Sequence, residues 1–256
     1  MKQALPALVY EDLTPTRDYL REVALILGSL QRAFLPKDPH DWQHGLQVNL
    51  RGLITQPFVM NGEASQASLD LVRRKLRLNG SSWPLQDYQA QELFNNVRAW
   101  LEAHSIQAKL AQPNFNSSAK HFNEQQSDLF AEALWWMDKQ FNWLKTSLQG
   151  GLSSPIFLYP HHFDLSLVWF PYEDDRQLAI GFSTGDETIA EPYLYLTAYP
   201  EPAGFTKLRL PKQAYFQTAG FSGAILSYDK LQTSDDPAAV FRNYANLLHQ
   251  ARPLFG

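Results

Sequence analysis

The stretch Pro160-His161-His162-Phe163-Asp164 sets two imidazoles beside a carboxylate, residue types that move protons or hold divalent metals near neutral pH. If residues 163–170 form a strand, alternate side chains share a face. Phe163, Leu165, Leu167 and Trp169 then point to a core, and His162, Asp164 and Ser166 point the other way. His162 and Asp164 become neighbours. Such a pair supplies two ligands of a facial metal triad, or an imidazole oriented by its carboxylate for proton transfer. A metal needs a third ligand. His249 falls on the last helix, and His40, His44 or His121 would have to arrive by folding. No cofactor is expected, and a divalent metal on His162 and Asp164 is the lesser alternative.

Downstream, Gly181-Phe182-Ser183-Thr184-Gly185-Asp186 offers the hydroxyls of Ser183 and Thr184 as substrate contacts or as a nucleophile. Its serine is central, as in a nucleophile elbow, but a loop and a strand follow it, not a helix. Asp186, Glu187 and Glu191 make the loop acidic; they either cap its turn or, facing a ligand, favour a cationic group or a metal over a phosphate. Over 193–199, Tyr193, Tyr195, Thr197 and Tyr199 share one face, an amphipathic wall that can stack on and hydrogen-bond a small ligand. The plainer alternative is that these tyrosines bridge core and solvent, as they do in many sheets. No Gly-rich phosphate loop or dinucleotide fingerprint is present.

The elements that must position these residues follow from periodicity. Thr14-Pro15 reads as a helix start, and Leu20, Val23, Ala24, Leu27, Leu30 and Phe34 form one apolar stripe. Residues 46–51 alternate as a strand with Leu46, Val48 and Leu50 inward, ended by Gly52. Leu69–Leu71 and Leu76–Leu78 predict two more strands, the second closed by Asn79-Gly80. Arg73, Arg74, Lys75 and Arg77 read as a solvated strand face, with anion binding as the lesser alternative. Asp87 is expected to cap a second helix, and Ile106–Leu110 to return as a strand. A third helix, apolar on more than one face, runs to Gly150-Gly151. Strands at 156–159, 163–170, 177–183, 193–199, 214–218 and 224–228 then read as an antiparallel meander, and Asp236-Pro237 starts a last helix.

The 256 residues suffice for a substantial core, and 45% hydrophobic with 13% aromatic residues describes a globular chain. Lys plus Arg number 22 against 26 Asp plus Glu, a formal net charge of -4, so no positive field draws the chain to nucleic acid or to an anionic membrane. There is no cysteine, which removes disulfides, thiolate catalysis and thiolate metal sites. No apolar run reaches the roughly 20 residues of a membrane span, and Pro6 with Glu11-Asp12 is unlike a secretory leader, so the expected location is the cytoplasm.

Taken together, His40-Asp41-Trp42-Gln43, Leu46, Val48, Arg51-Gly52-Leu53, Ser154-Pro155, Pro160–Leu165, Gly181–Asp186, Glu191-Pro192-Tyr193 and Tyr199-Pro200 carry a resemblance. The chain resembles domain-of-unknown-function family 5996, a bacterial family, from the first helix to about Ala251. Members with a Gly-Ser pair in place of His161-His162 keep the aspartate. The resemblance therefore implies that Asp164, Arg51 and the tyrosine strand are the shared elements, and it favours binding over catalysis.

The expected fold is α+β, antiparallel sheet covered by about four main helices, as one domain or two similar halves. The halves are residues 1–111 and 127–256, each helix, strands, helix, joined by a connection at 112–126, with the candidate site in the second; no residue-level repeat proves a duplication. The leading functional expectation is a small-molecule-binding module whose ligand-binding residues are His161, His162, Asp164, Ser183, Thr184, Asp186, Glu191, Tyr193, Tyr195 and Arg51. One alternative is a metal-dependent or hydrolytic enzyme using His162 and Asp164. Another is a structural or partner-binding protein in which these residues form a satisfied polar network. The ligand and the oligomeric state stay open.

Overall fold

A computed structural model describes residues 5–115 and 122–256. It is an α+β structure of antiparallel sheets and helices, and its chain divides into two compact units. One, here the amino unit, comprises residues 11–135 and 158–163; the other, the carboxyl unit, comprises residues 1–10, 136–157 and 164–256.

In the amino unit, helix α1 (Tyr10–Phe34) starts earlier than Thr14-Pro15 implies. Glu11 and Asp12 lie in its first turn, where carboxylates suit the helix dipole, and Pro15 sits inside it. Leu20, Val23, Ala24, Leu27 and Leu30 are buried as the stripe requires. Five strands, β1 (Gln47–Asn49), β2 (Gly52–Ile54), β5 (Ala67–Asp70), β6 (Lys75–Leu78) and β7 (Ser81–Pro84), form one sheet in that order, and β3 (Phe58–Met60) pairs with β4 (Glu63–Ser65). Val48, Leu53, Leu69, Leu76 and Trp83 form a cross-strand row. Each fully buried leucine of that row contributes about 1.5–3 kcal/mol.

Several sequence expectations change here. Leu50 is 76% exposed, because β1 ends at Asn49 and Asn49 Oδ1 accepts the amides of Arg51 (2.8 Å) and Gly52 (3.1 Å) to build a turn. Gly52, at φ +139°, lies against the Leu69 carbonyl where a Cβ would collide. Helix α2 (Ala90–Ala103) is capped by Gln89 and Glu92, not by Asp87. Residues 107–110 form no strand. Arg73 and Arg74 occupy the turn between β5 and β6, and Arg74 is paired with Asp128 (2.8 Å) and Glu124 (3.5 Å), so the basic cluster is not an open patch. Helix α3 (Glu124–Ser147) follows; part of the expected 112–126 connection lies outside the described residues.

The carboxyl unit holds the rest of α3 and a sheet built from β8 (Leu152–Ser153), β10 (Asp164–Phe170), β11 (Gln177–Ser183), β12 (Tyr193–Tyr199), β13 (Ala214–Gln217) and β14 (Gly223–Ser227). The short β9 (Phe157–Tyr159) spans the unit boundary. The sheet order is β13-β14-β12-β11-β10-β8, so only β10 to β12 form a meander and β14 inserts ahead of β13. One face carries Leu165, Leu167, Trp169, Phe182, Ile180, Leu178, Leu194 and Leu196, all buried. Helices α4 (Tyr228–Gln232), α5 (Pro237–Ala245) and α6 (Leu247–Ala251) complete the unit. Phe241 meets Phe141 at 5.7 Å and Trp136 at 6.2 Å, and the Tyr244 hydroxyl donates to the Ala224 carbonyl at 2.6 Å. Asp236 caps α5 as expected, accepting the Ala239 amide at 3.0 Å.

Candidate functional site

The opposite face of the carboxyl sheet is polar. Register places Asp164, Ser183, Tyr193 and Ser227 in one cross-strand row, and Ser166, Gly181, Tyr195 and Ile225 in the next. The key position is Gly181. A Cβ there would overlap the Tyr195 ring, so the absence of a side chain lets that ring lie across β11. Its hydroxyl thereby reaches from β12 to β10 and donates to Asp164 Oδ2. Burial pushes the Tyr195 phenol well above its ordinary pKa, and the Asp164 charge and hydrogen bond push it further.

Tyr193 makes the parallel arrangement one row along. Its hydroxyl donates to Asp186 Oδ2 at 2.8 Å, and burial followed by that bond raises its pKa. Asp186 Oδ1 accepts the amides of Thr188 (2.7 Å) and Ile189 (2.9 Å), which folds the loop around the carboxylate. Burial alone would raise the Asp186 pKa; the two amides and the phenol outweigh it and hold the group below its ordinary value. Beside these phenols Ile189, Tyr193 and Ile225 form a buried cluster with Tyr195 and Phe221 packed on it. The arrangement offers neutral phenols and a carboxylate next to hydrocarbon.

The remaining residues of the expected site have other surroundings. Ser183 Oγ accepts the Gly185 amide at 3.1 Å, and Ser183 and Thr184 are both buried, so neither hydroxyl stands as an exposed nucleophile. Glu191 accepts from Ser227 at 2.6 Å. Tyr199 is 64% exposed and stands apart from Tyr193 and Tyr195. Arg51 is exposed in the turn between β1 and β2. His161 and His162 are exposed in a turn, not on a strand. Phe163 is in the left-handed region at φ 54°, its amide bonded to the Tyr159 carbonyl at 2.8 Å, and β10 begins only at Asp164. The alternation that set His162 and Asp164 on one face therefore does not reach His162.

Three residues were not singled out by sequence. Gly181 stood inside a quoted motif, but its role depends on register. Ser227 joins the row only through pairing with Tyr193, and Tyr10 covers Gly185 with its ring and bonds the Asp186 carbonyl at 3.2 Å. Among the described residues no three His, Cys, Asp or Glu side chains gather as metal ligands would, and no helix is long and apolar enough to cross a membrane. His121, one suggested third ligand, lies outside the described residues.

A profile of a family of unknown function, DUF5996, matches residues 5–177 and 172–252. The chain belongs to this family. No curated protein and no solved structure matches it. DUF5996 carries no activity in its description, so any functional reading rests on the side chains themselves.

Proposed function

We propose that this DUF5996 protein binds a small molecule on the polar face of its carboxyl sheet, with Asp164, Tyr195 and Tyr193 as the recognition groups. The bond that Tyr195 makes to Asp164 across Gly181 carries the reading. A bare position on an inner strand, filled by a ring that spans three strands to meet a carboxylate, is a costly arrangement for a sheet that needs only to be stable. The neighbouring Ile189, Ile225 and Phe221 supply an apolar flank for the ligand body.

Binding is favoured over acid-base catalysis by the phenols. Both are pushed far above neutral pH, so they stay protonated, each giving its one hydrogen to a carboxylate, Asp164 or Asp186, and neither acts as a base. Asp164 provides the acceptor, which suits a ligand presenting an amine, amide or hydroxyl. The second reading is a structural polar network, favoured at one point by Asp186, whose carboxylate is bonded within its own loop.

A thermal-shift screen of amine-, amide- and hydroxyl-bearing metabolites distinguishes the two. Binding predicts at least one compound that raises Tm in a saturable way and loses its effect in Tyr195→Phe and Asp164→Asn. No response across the library, or responses indifferent to both substitutions, supports the structural network instead.

A further inference from the structure

The amino unit contains a second cluster, built on unlike chemistry. On α1, Arg21, Leu25, Gly28 and Arg32 recur at helical spacing and share one face. Gly28 leaves a gap in that face. A Cβ placed there would stand 3.6 Å from Pro160 Cγ and 3.6 Å from an Arg32 guanidinium nitrogen, so the 160–162 turn nests beside Gly28 with the two arginines on either side. Arg21 Nε donates to the His161 carbonyl at 3.0 Å and holds the turn. Gln31, next to Arg32, is buried and donates to the carbonyls of Gln43 and Gly45, both at 3.0 Å, which fixes His44 to the same end of α1. Leu46 and Leu158 bridge the two segments.

Charge in this cluster is one-sided. Among the described residues neither Arg21 nor Arg32 pairs with a carboxylate, and the single bond of the Arg32 guanidinium is to Ser29 Oγ at 3.0 Å. Among the described residues the acid paired with these imidazoles is the exposed Asp41, 3.9 Å from His44. A partly buried guanidinium with most of its donors unused is expensive unless an anion completes it. His44 points the same way. Gln43 Oε1 accepts the Asp38 amide at 3.0 Å, which turns Gln43 Nε2 toward His44 Nε2, also 3.0 Å. The His44 ring then carries its proton on Nδ1, a shielded donor with no partner among the described residues. Both His44 and His161 are held below their ordinary pKa, first by partial burial and then by surrounding positive groups: Arg32, His162, His44 and Arg21 around His161, and Arg32 and Lys37, opposed by Asp41, around His44.

We propose that the 160–162 turn and the Arg32 end of α1 form a binding site for a phosphate group, contacted by Arg32, His161 and His44, with Arg21 positioning the turn and adding to the field. A phosphomonoester carries about -1.5 to -2 at neutral pH and accepts bonds from several directions, matching two guanidiniums and two imidazoles better than a single carboxylate would. The site is independent of the sheet-face reading above: it uses other residues, and either can fail alone.

The test is titration of the full chain with inorganic phosphate, against sodium chloride at equal ionic strength, following Tm and the imidazole C–H signals by NMR. The proposal predicts saturable stabilisation by phosphate beyond chloride, with the His161 signal titrating at higher pH when phosphate is present. Arg32→Gln should weaken binding roughly tenfold or more, as should His161→Asn, an exposed substitution that keeps the test open if the arginine variant does not fold. Tighter binding of a phosphomonoester panel would assign the site to a phosphorylated small molecule, and equal affinity to free phosphate. Stabilisation equal to that of chloride, or phosphate binding unchanged in both variants, overturns the site.

Discussion

Tyr195 reaches one carboxylate by way of a glycine, a strand crossing and a hydrogen bond, and each can be removed separately. Tyr195→Phe leaves Asp164 without that phenolic donor and is expected to cost about 1–3 kcal/mol, read by urea denaturation. Gly181→Ala places a methyl where the ring lies and should cost about 1–3 kcal/mol through overpacking, with Tyr195 displaced. The two losses share one interaction, so the double variant should lose less than the sum of the singles. The residues of this face were named from sequence because alternation along β12 and the start of β10 reveals which side chains travel together. What sequence could not supply was cross-strand register: Tyr195 opposite Gly181, one row from Asp164, is a pairing fact. His162 failed for a local reason. The left-handed Phe163 breaks the strand between it and Asp164, and no residue type announced that conformation in advance.

Helices with strong local signals were read well, and their ends less so. Asp236 with Pro237 marks α5 at both chemical and steric levels, and Asp236→Ala should lower stability by about 1 kcal/mol in the same denaturation assay. The helix stops at Asn246 and resumes as α6, a break that the continuous stripe of Phe241, Tyr244, Leu247 and Leu248 conceals. Helix α1 shows the opposite error: Pro15 imitates a first-turn proline while the helix begins at Tyr10. Helix α3 carries a titratable consequence. Burial pushes the Asp138 carboxyl up to about 6, against the opposing bond from Asn142. A folded-state pKa above the unfolded one means that the protonated form is the stabilising one. Stability should therefore fall as pH rises from about 4 through 6 and level off above it. The difference between wild type and Asp138→Asn in denaturation midpoints, measured from pH 4 to 7.5, should follow that window.

The antiparallel sheets and helices of the two compact units make up the α+β class that the periodicity predicts. Their membership was not legible, because α3 and β9 each contribute to both and no composition shift marks where the chain changes unit. Two chemistries result, neutral phenols with a carboxylate on the carboxyl sheet and clustered positive groups at the Arg32 end of α1. The first bears the proposed function, and its phenols report directly. With tyrosine rings isotopically labelled, a fragment library of amines, amides and hydroxyl compounds can be screened by NMR on the full chain, assigning Tyr193 and Tyr195 by substitution to Phe. The account predicts that compounds which bind shift the Tyr195 ring signals first, with Tyr193 following, and leave exposed Tyr199 unmoved. Binding compounds that perturb other tyrosines while Tyr193 and Tyr195 stay still would contradict it.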